Sequence, residues 1–197
     1  MIDLSVIVAS CDKYSHLLPH FAERFDKYWE PGTKYPKYIT TETTKIHIPN
    51  YISVVTGDAN WSNSLLKMLS QIETSYVFLT IDDFFLVRTL GNDYINRALT
   101  ILDDNKFDKY IFHYPHVVFN GKLDSTFFGP RIFKVQQGAE YIMTVQPSVW
   151  NTDFLKKCLK KGESPWEFEV DGSTRVNNTM QHQIYMEIVE SFHREAI

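Results

Sequence analysis

The sequence predicts an α/β fold, a mainly parallel central sheet flanked by helices, and two observations carry that expectation. Leu4–Ala9 (LSVIVA) and Tyr76–Ile81 (YVFLTI) are short, nearly continuous apolar runs that suit strands covered on both faces. Around them, stretches with apolar residues three and four apart alternate with further strand-like segments.

After the first strand, Ser10 to Lys13 interrupt the apolar run. Leu17, Leu18, Phe21, Phe25 and Tyr28 then recur near helical spacing until Pro31-Gly32 ends the segment. Lys37 to Thr41 and Ile52 to Thr56 read as strands, with Pro49-Asn50 as a turn signal between them. Trp61, Leu65, Met68, Leu69 and Ile72 form one apolar stripe on a helix over Trp61 to Ile72, and the strand Tyr76 to Ile81 follows. Tyr94 to Leu102 repeats the helical pattern, and Tyr110 to Phe112 is a short strand. From His113 to Val145 the pattern turns short, aromatic and irregular, which predicts a small β excursion with loops over one end of the sheet. Two helical pieces are expected last, near Thr152 to Leu159 and Val176 to His193.

Composition bounds the class. A chain of 197 residues with 44% hydrophobic and 15% aromatic residues buries enough surface for a stable core in one domain. Cys11 and Cys158 match no metal-binding spacing and read as reduced thiols, so a cytoplasmic protein is expected. No charged leader precedes an apolar run, and the most apolar window, Tyr76 to Val87, is broken by Asp82 and Asp83. Neither a signal peptide nor a membrane span is expected, and any membrane contact is peripheral. The net charge of -4 argues against a wide phosphate-tracking surface, although the lysines at 156, 157, 160 and 161 form a local basic cluster.

In parallel α/β sheets, ligands bind beyond the carboxyl ends of the strands. Three polar groups leave those ends: Ser10-Cys11-Asp12, Thr56-Gly57-Asp58 and Asp82-Asp83. Two adjacent carboxylates repel each other unless a cation or donors compensate, and Mg²⁺ or Mn²⁺ bridging to a diphosphate supplies that compensation. The plainer alternative is that Asp83 caps a turn and Asp82 makes a structural ion pair. HExxH, GxSxG, the Walker loop and GxGxxG are all missing, which disfavours zinc peptidases, serine hydrolases, kinases and dehydrogenases.

The stretch ANWSNSLLKMLSQIETSYVFLTIDDFFL, together with the opening LSVIVASCDKY, resembles the family-2-like GT-A glycosyltransferases. There a loop-helix-strand unit delivers an aspartate motif to the donor diphosphate; QPSVWNTDFLKKCL and SPWEFE follow the pattern more loosely. The resemblance implies a GT-A domain over residues 1–197, with 1–113 holding the nucleotide-sugar and 114–197 facing the acceptor. It implies transfer of a sugar, with inversion, from a nucleotide-diphosphate-sugar donor to an acceptor hydroxyl, on Mn²⁺ or Mg²⁺. Ser10, Asp12, Asp58, Trp61 and Asp82 then bind the nucleotide-sugar, and Asp82, Asp83 and His182 are the candidate metal ligands. Thr80 stands where the family has the first aspartate of D-x-D, which makes Asp82 the preferred ligand. Trp166 is the candidate acceptor platform, and Glu169 or Glu167 the candidate base, because inverting transfer needs a carboxylate within reach of the acceptor hydroxyl. A glycan or lipid-linked saccharide is the expected acceptor, with a nucleic-acid base or a protein as alternatives. Two rivals remain: a nucleotidyltransferase, whose Gly-rich basic loop is missing from ASCDKYS, and a non-catalytic sugar- or nucleotide-binding module.

Overall fold

Six consecutive buried residues, Leu4–Ala9, form β1, and Tyr76–Ile81 form β4 beside it in a computed structural model that describes residues 3–113, 122–126 and 128–194. The two strands run parallel in register from Leu4 opposite Tyr76 to Ala9 opposite Ile81. Side chains alternate between the faces. Leu4, Val6, Val8 and Phe78 enter one core, whereas Ile7, Ala9, Val77 and Leu79 enter a second core on the other face. Burial on both faces is why these runs are continuously apolar.

β2 (Lys37–Thr41) and β3 (Tyr51–Val55) continue the parallel sheet beyond β1. Helix α1 (Leu18–Tyr28), entered through a 3₁₀ turn over Asp12–Leu17, lays Phe21 and Phe25 on the first core. Phe25 stacks on Trp29 at 4.9 Å, and Trp29 meets Phe78 edge-on at 5.0 Å. Helix α2 (Trp61–Leu69) places Leu65, Met68 and Leu69 on the second core. β5 (Phe84–Leu86) follows β4 after a turn, and α3 (Asn92–Asn105) returns to the first core through Ile95, Ala98 and Leu99.

The second half completes one mixed sheet. It contributes β6 (Lys109–His113), β7 (Leu123–Thr126), β8 (Gly129–Val135), β9 (Ser148–Asn151) and β10 (Ile184–Ile188). Between β9 and β10 lie α4 (Thr152–Cys158), the single turn α5 (Pro165–Glu167), a π-helical turn over Phe168–Gly172, and α6 (Ser173–Thr179). Among the described residues the nine strands run in the order β3-β2-β1-β4-β9-β6-β10-β8-β7, and β11 (Phe192–Arg194) pairs separately with β5. β1 to β4 are mutually parallel, as expected. β9 is antiparallel to both β4 and β6, which makes the whole sheet mixed.

Three segments differ from expectation. The terminal helix over Val176 to His193 stops at Thr179, and the next residues form β10 between β6 and β8. A short apolar run buried on both faces carries no period that separates strand from helix. The β excursion does not lie over an end of the sheet: β7 and β8 extend its edge. The helix expected to reach Ile72 ends at Leu69, with Ser70 as its C-cap. Among the described residues no helix is long and apolar enough to cross a membrane. His116, which like His113 and His193 the sequence offers as a further metal ligand, lies outside the described residues.

Candidate functional site

Register creates the first half of the site. Ala9 and Ile81 are partners at the carboxyl ends of β1 and β4, so the next residues, Ser10 and Asp82, emerge side by side. Ser10 donates its hydroxyl to Asp82 Oδ2 across 72 positions of sequence. Asp82 is only 6% exposed, and burial, reinforced by the charge of Asp83 and opposed by the Ser10 bond, pushes its carboxyl up to about 6. Thr80, earlier on β4, is fully buried and donates to Ile81 O.

Asp83 occupies the same turn and has a different partner. β11 runs antiparallel to β5 with Arg194 opposite Phe84, which brings Arg194 Nε to 3.0 Å from Asp83 Oδ2. Burial raises the Asp83 carboxyl and the Arg194 charge works against that rise. Asp83 Oδ1 is buried and accepts no hydrogen bond among the described residues.

The opposite wall comes from the second half. Ser164 and Glu167 form a capping box that starts α5, and the chain then widens into the π-helical turn. Such turns insert an extra residue and re-aim the side chains around it. Glu169 Oε1 accepts from Thr144 Oγ1 at 2.9 Å and from the Val145 backbone N–H at 2.8 Å. Its Oε2 has no hydrogen-bond partner among the described residues. The loop carrying Thr144 is held from beneath by Lys109, fully buried, which donates to Ile142 O at 3.0 Å and Thr144 O at 2.8 Å and lies 3.9 Å from the Trp150 ring centroid. Burial lowers the Lys109 ammonium far below the usual lysine range.

These walls enclose a cavity of about 500 Å³ whose lining includes Ser10, Asp82, Asp83, Trp61, Trp166 and Glu169. Six of the residues singled out from sequence therefore meet in one place. Trp61, at the start of α2, stacks obliquely on Phe168 with 5.4 Å between ring centroids, and its buried Nε1 has no partner among the described residues. Trp166 is 67% exposed at the rim. Arg194 also lines the cavity, and sequence reasoning missed it because its place depends on a strand pairing 111 residues from Asp83.

Four candidates lie elsewhere. Asp12 points into the loop after β2 and accepts from the backbone N–H groups of Glu42, Thr43 and Thr44 and from the Thr43 hydroxyl, which together hold its carboxyl far below the usual range. Asp58 leaves β3, three strands from β4 and so about 14 Å along the sheet. There it accepts from Asn60 N at 3.0 Å and pairs with Lys67 at 3.3 Å. The Glu167 carboxylate accepts from Ser164 N at 2.7 Å in the capping box, outside the cavity lining. His182 is buried, with Nε2 at 3.1 Å from Asn177 Oδ1 and Nδ1 unpartnered among the described residues. It does not reach the aspartates: among the described residues no three His, Cys, Asp or Glu side chains gather as a metal-binding group.

The buried Asp82 carboxylate and the part-buried Asp83, whose Oδ1 accepts no hydrogen bond among the described residues, still suit a hard cation that keeps waters and takes its remaining ligands from a bound phosphate. Glu163, a further glutamate of this segment, is bound by both terminal nitrogens of Arg175 at 2.5 and 2.9 Å and serves the packing of α6.

The fold is GT-A-like. S. aureus TarS 1-349, solved in complex with UDP-GlcNAc, aligns with a TM-score of 0.56 and 14% identity over 99% of this chain and 60% of that one. Another S. aureus TarS structure gives 0.56 and 13%, over 99% of this chain and 37% of that one. The 2-C-methyl-D-erythritol 4-phosphate cytidylyltransferase of Thermus thermophilus gives 0.57 and 9%, over 99% and 93%. This chain thus spans less than two thirds of either TarS structure. At such identities the likeness establishes the fold. No family model and no curated protein matches the sequence.

Proposed function

We propose that the chain is a glycosyltransferase that moves a sugar from a nucleotide-diphosphate-sugar to an acceptor hydroxyl with inversion. One observation carries the reading: Asp82 and Glu169, from opposite halves of the chain, face a single cavity at the carboxyl ends of β1 and β4. The diphosphate of the donor lies at Asp82 and Asp83, and the nucleotide extends past Ser10 and Trp61. Asp82 and Asp83, through its Oδ1, would hold Mn²⁺ or Mg²⁺, which would supply charge neutralisation for a departing diphosphate. Ser10 orients Asp82 for that task through its hydroxyl.

Glu169 is the base. With Oε1 fixed by Thr144 and Val145, Oε2 is left to take the acceptor proton. The acceptor oxygen forms its bond to the anomeric carbon as the bond from that carbon to the diphosphate oxygen breaks. The products are a glycoside and a nucleoside diphosphate, and the proton on Glu169 returns to water. Trp166 offers an exposed ring face for an acceptor sugar, which supports a glycan or lipid-linked saccharide.

The test is turnover of UDP-, GDP- and CDP-sugars with Mn²⁺ or Mg²⁺, by wild type, Asp82→Ala and Glu169→Gln. Full activity in Asp82→Ala removes this reading. The cytidylyltransferase neighbour, matched over 93% of its length, supports nucleotidyl transfer as a second reading. Pyrophosphate release from a nucleoside triphosphate and a sugar phosphate would establish it instead.

A further inference from the structure

Three carboxylates line the cavity, Asp82, Asp83 and Glu169, and among the described lining residues Arg194 is the one cationic side chain. A phosphate ligand entering there meets like charge from each carboxylate. Something must offset that repulsion.

Arg194 is built to do so. Its Nε donates to Asp83 Oδ2 at 3.0 Å, its Cζ sits 5.4 Å from the Phe84 ring centroid, and the pairing of β11 with β5 fixes its backbone opposite Phe84. The first two restraints act on one edge and one face of the guanidinium, and the third fixes its backbone. The terminal nitrogens have no hydrogen bond among the described residues, and the side chain remains 49% exposed at the cavity. A guanidinium held by Nε presents its remaining donors as a fork that matches phosphate oxygens two at a time.

We propose that Arg194 is the phosphate-binding residue of this cavity. Its terminal nitrogens take two oxygens of a pyrophosphate group while Nε stays on Asp83, a contact that forms whether or not a metal ion is bound at the aspartates. The inference rests on the reading of the cavity as a nucleotide-diphosphate-sugar site, and it adds a ligand contact that the aspartate pair does not supply.

The test is calorimetric titration of the full chain in EDTA, first with inorganic pyrophosphate and then with UDP, GDP and CDP. Wild type is expected to bind pyrophosphate, and Arg194→Gln to bind it about 10- to 100-fold more weakly, as for loss of a charged hydrogen bond. Arg194→Lys, which keeps the charge without the fork, is expected to fall between them. Should Arg194→Gln prove unfolded by its thermal transition, protection of Arg194 in the wild type from phenylglyoxal by pyrophosphate, read by mass spectrometry, decides instead. Equal binding by wild type and Arg194→Gln, no binding by wild type in EDTA, or no protection overturns the proposal. Pyrophosphate binding through Arg194 without turnover of any nucleotide-sugar removes glycosyl transfer and leaves this site standing. Metal-dependent turnover with unaltered pyrophosphate binding in Arg194→Gln removes this site alone.

Discussion

The backbone N–H of Val145 donates to Glu169 Oε1 at 2.8 Å, and that bond ties the loop above Lys109 to the π-helical turn. One carboxylate oxygen is occupied by this bond and the Thr144 hydroxyl, so the other is oriented without any contribution from a ligand.

Glu169→Gln keeps an amide oxygen for Val145 and removes the base. Its kcat is expected to fall by about 10²- to 10⁴-fold, with the donor KM little changed. Glu167→Ala, which breaks the capping box with Ser164, is expected to lower Tm and leave kcat unchanged. Steady-state kinetics and thermal unfolding on both variants check the pair; a kcat loss confined to Glu167→Ala would reverse the assignment.

Ser10→Ala removes the hydroxyl that orients Asp82. Affinity for Mn²⁺ in the presence of a nucleoside diphosphate is expected to drop about 10- to 100-fold, the usual cost of losing the partner of a metal-binding carboxylate. Titration calorimetry measures it. Unchanged Mn²⁺ affinity would separate Ser10 from the site.

Trp166 and Phe168 are two residues apart and opposite in burial, 67% and 0% exposed. Trp166→Ala is expected to change stability by no more than about 0.5 kcal/mol and to raise the acceptor KM. Phe168→Ala, which empties a place between Trp61 and Trp150, is expected to cost about 3–5 kcal/mol. Denaturant unfolding of both variants, with acceptor kinetics on the first, checks this contrast.

His182 is expected to cost the chain stability on the acid side. Burial, with smaller contributions from the charges of Lys134 and Lys109, holds its imidazole below the ordinary value of 6.5. The unfolded chain therefore binds a proton first as pH falls, and the stability present above about 6.5 is lost toward the lower folded value. The raised carboxyl of Asp82 acts with the opposite sign over this window, so the expected signature is a difference: between pH 7.5 and pH 5 the Tm of His182→Gln falls less, or rises more, than that of the wild type. Identical pH profiles for the two proteins would show that His182 contributes nothing to this loss.

The buried strands were legible because their constraints are local. LSVIVA and YVFLTI announce strands covered on both faces, and the residue after each run had to emerge at a sheet end, so Ser10 and Asp82 were identifiable from the sequence. Glu169 and Trp166 were legible only as members of a segment, since Glu167 offers the same chemistry two positions away. The capping box assigned Glu167 to the start of a helix, and the π-helical turn assigned Glu169 to the cavity.

Asp12 and Asp58 have the residue types and strand-end positions of ligand-binding groups, yet their carboxylates serve nearby backbone amides. Local patterns do not tell a capping carboxylate from a binding one, because both accept hydrogen bonds at the end of a strand. Arg194 is the converse case: nothing in its neighbourhood of sequence marks it, and its position beside Asp83 follows from β11 pairing with β5. Periodicity reports how each segment buries its own side chains. The distance between residues 83 and 194 is set by long-range strand pairing, which no local period encodes.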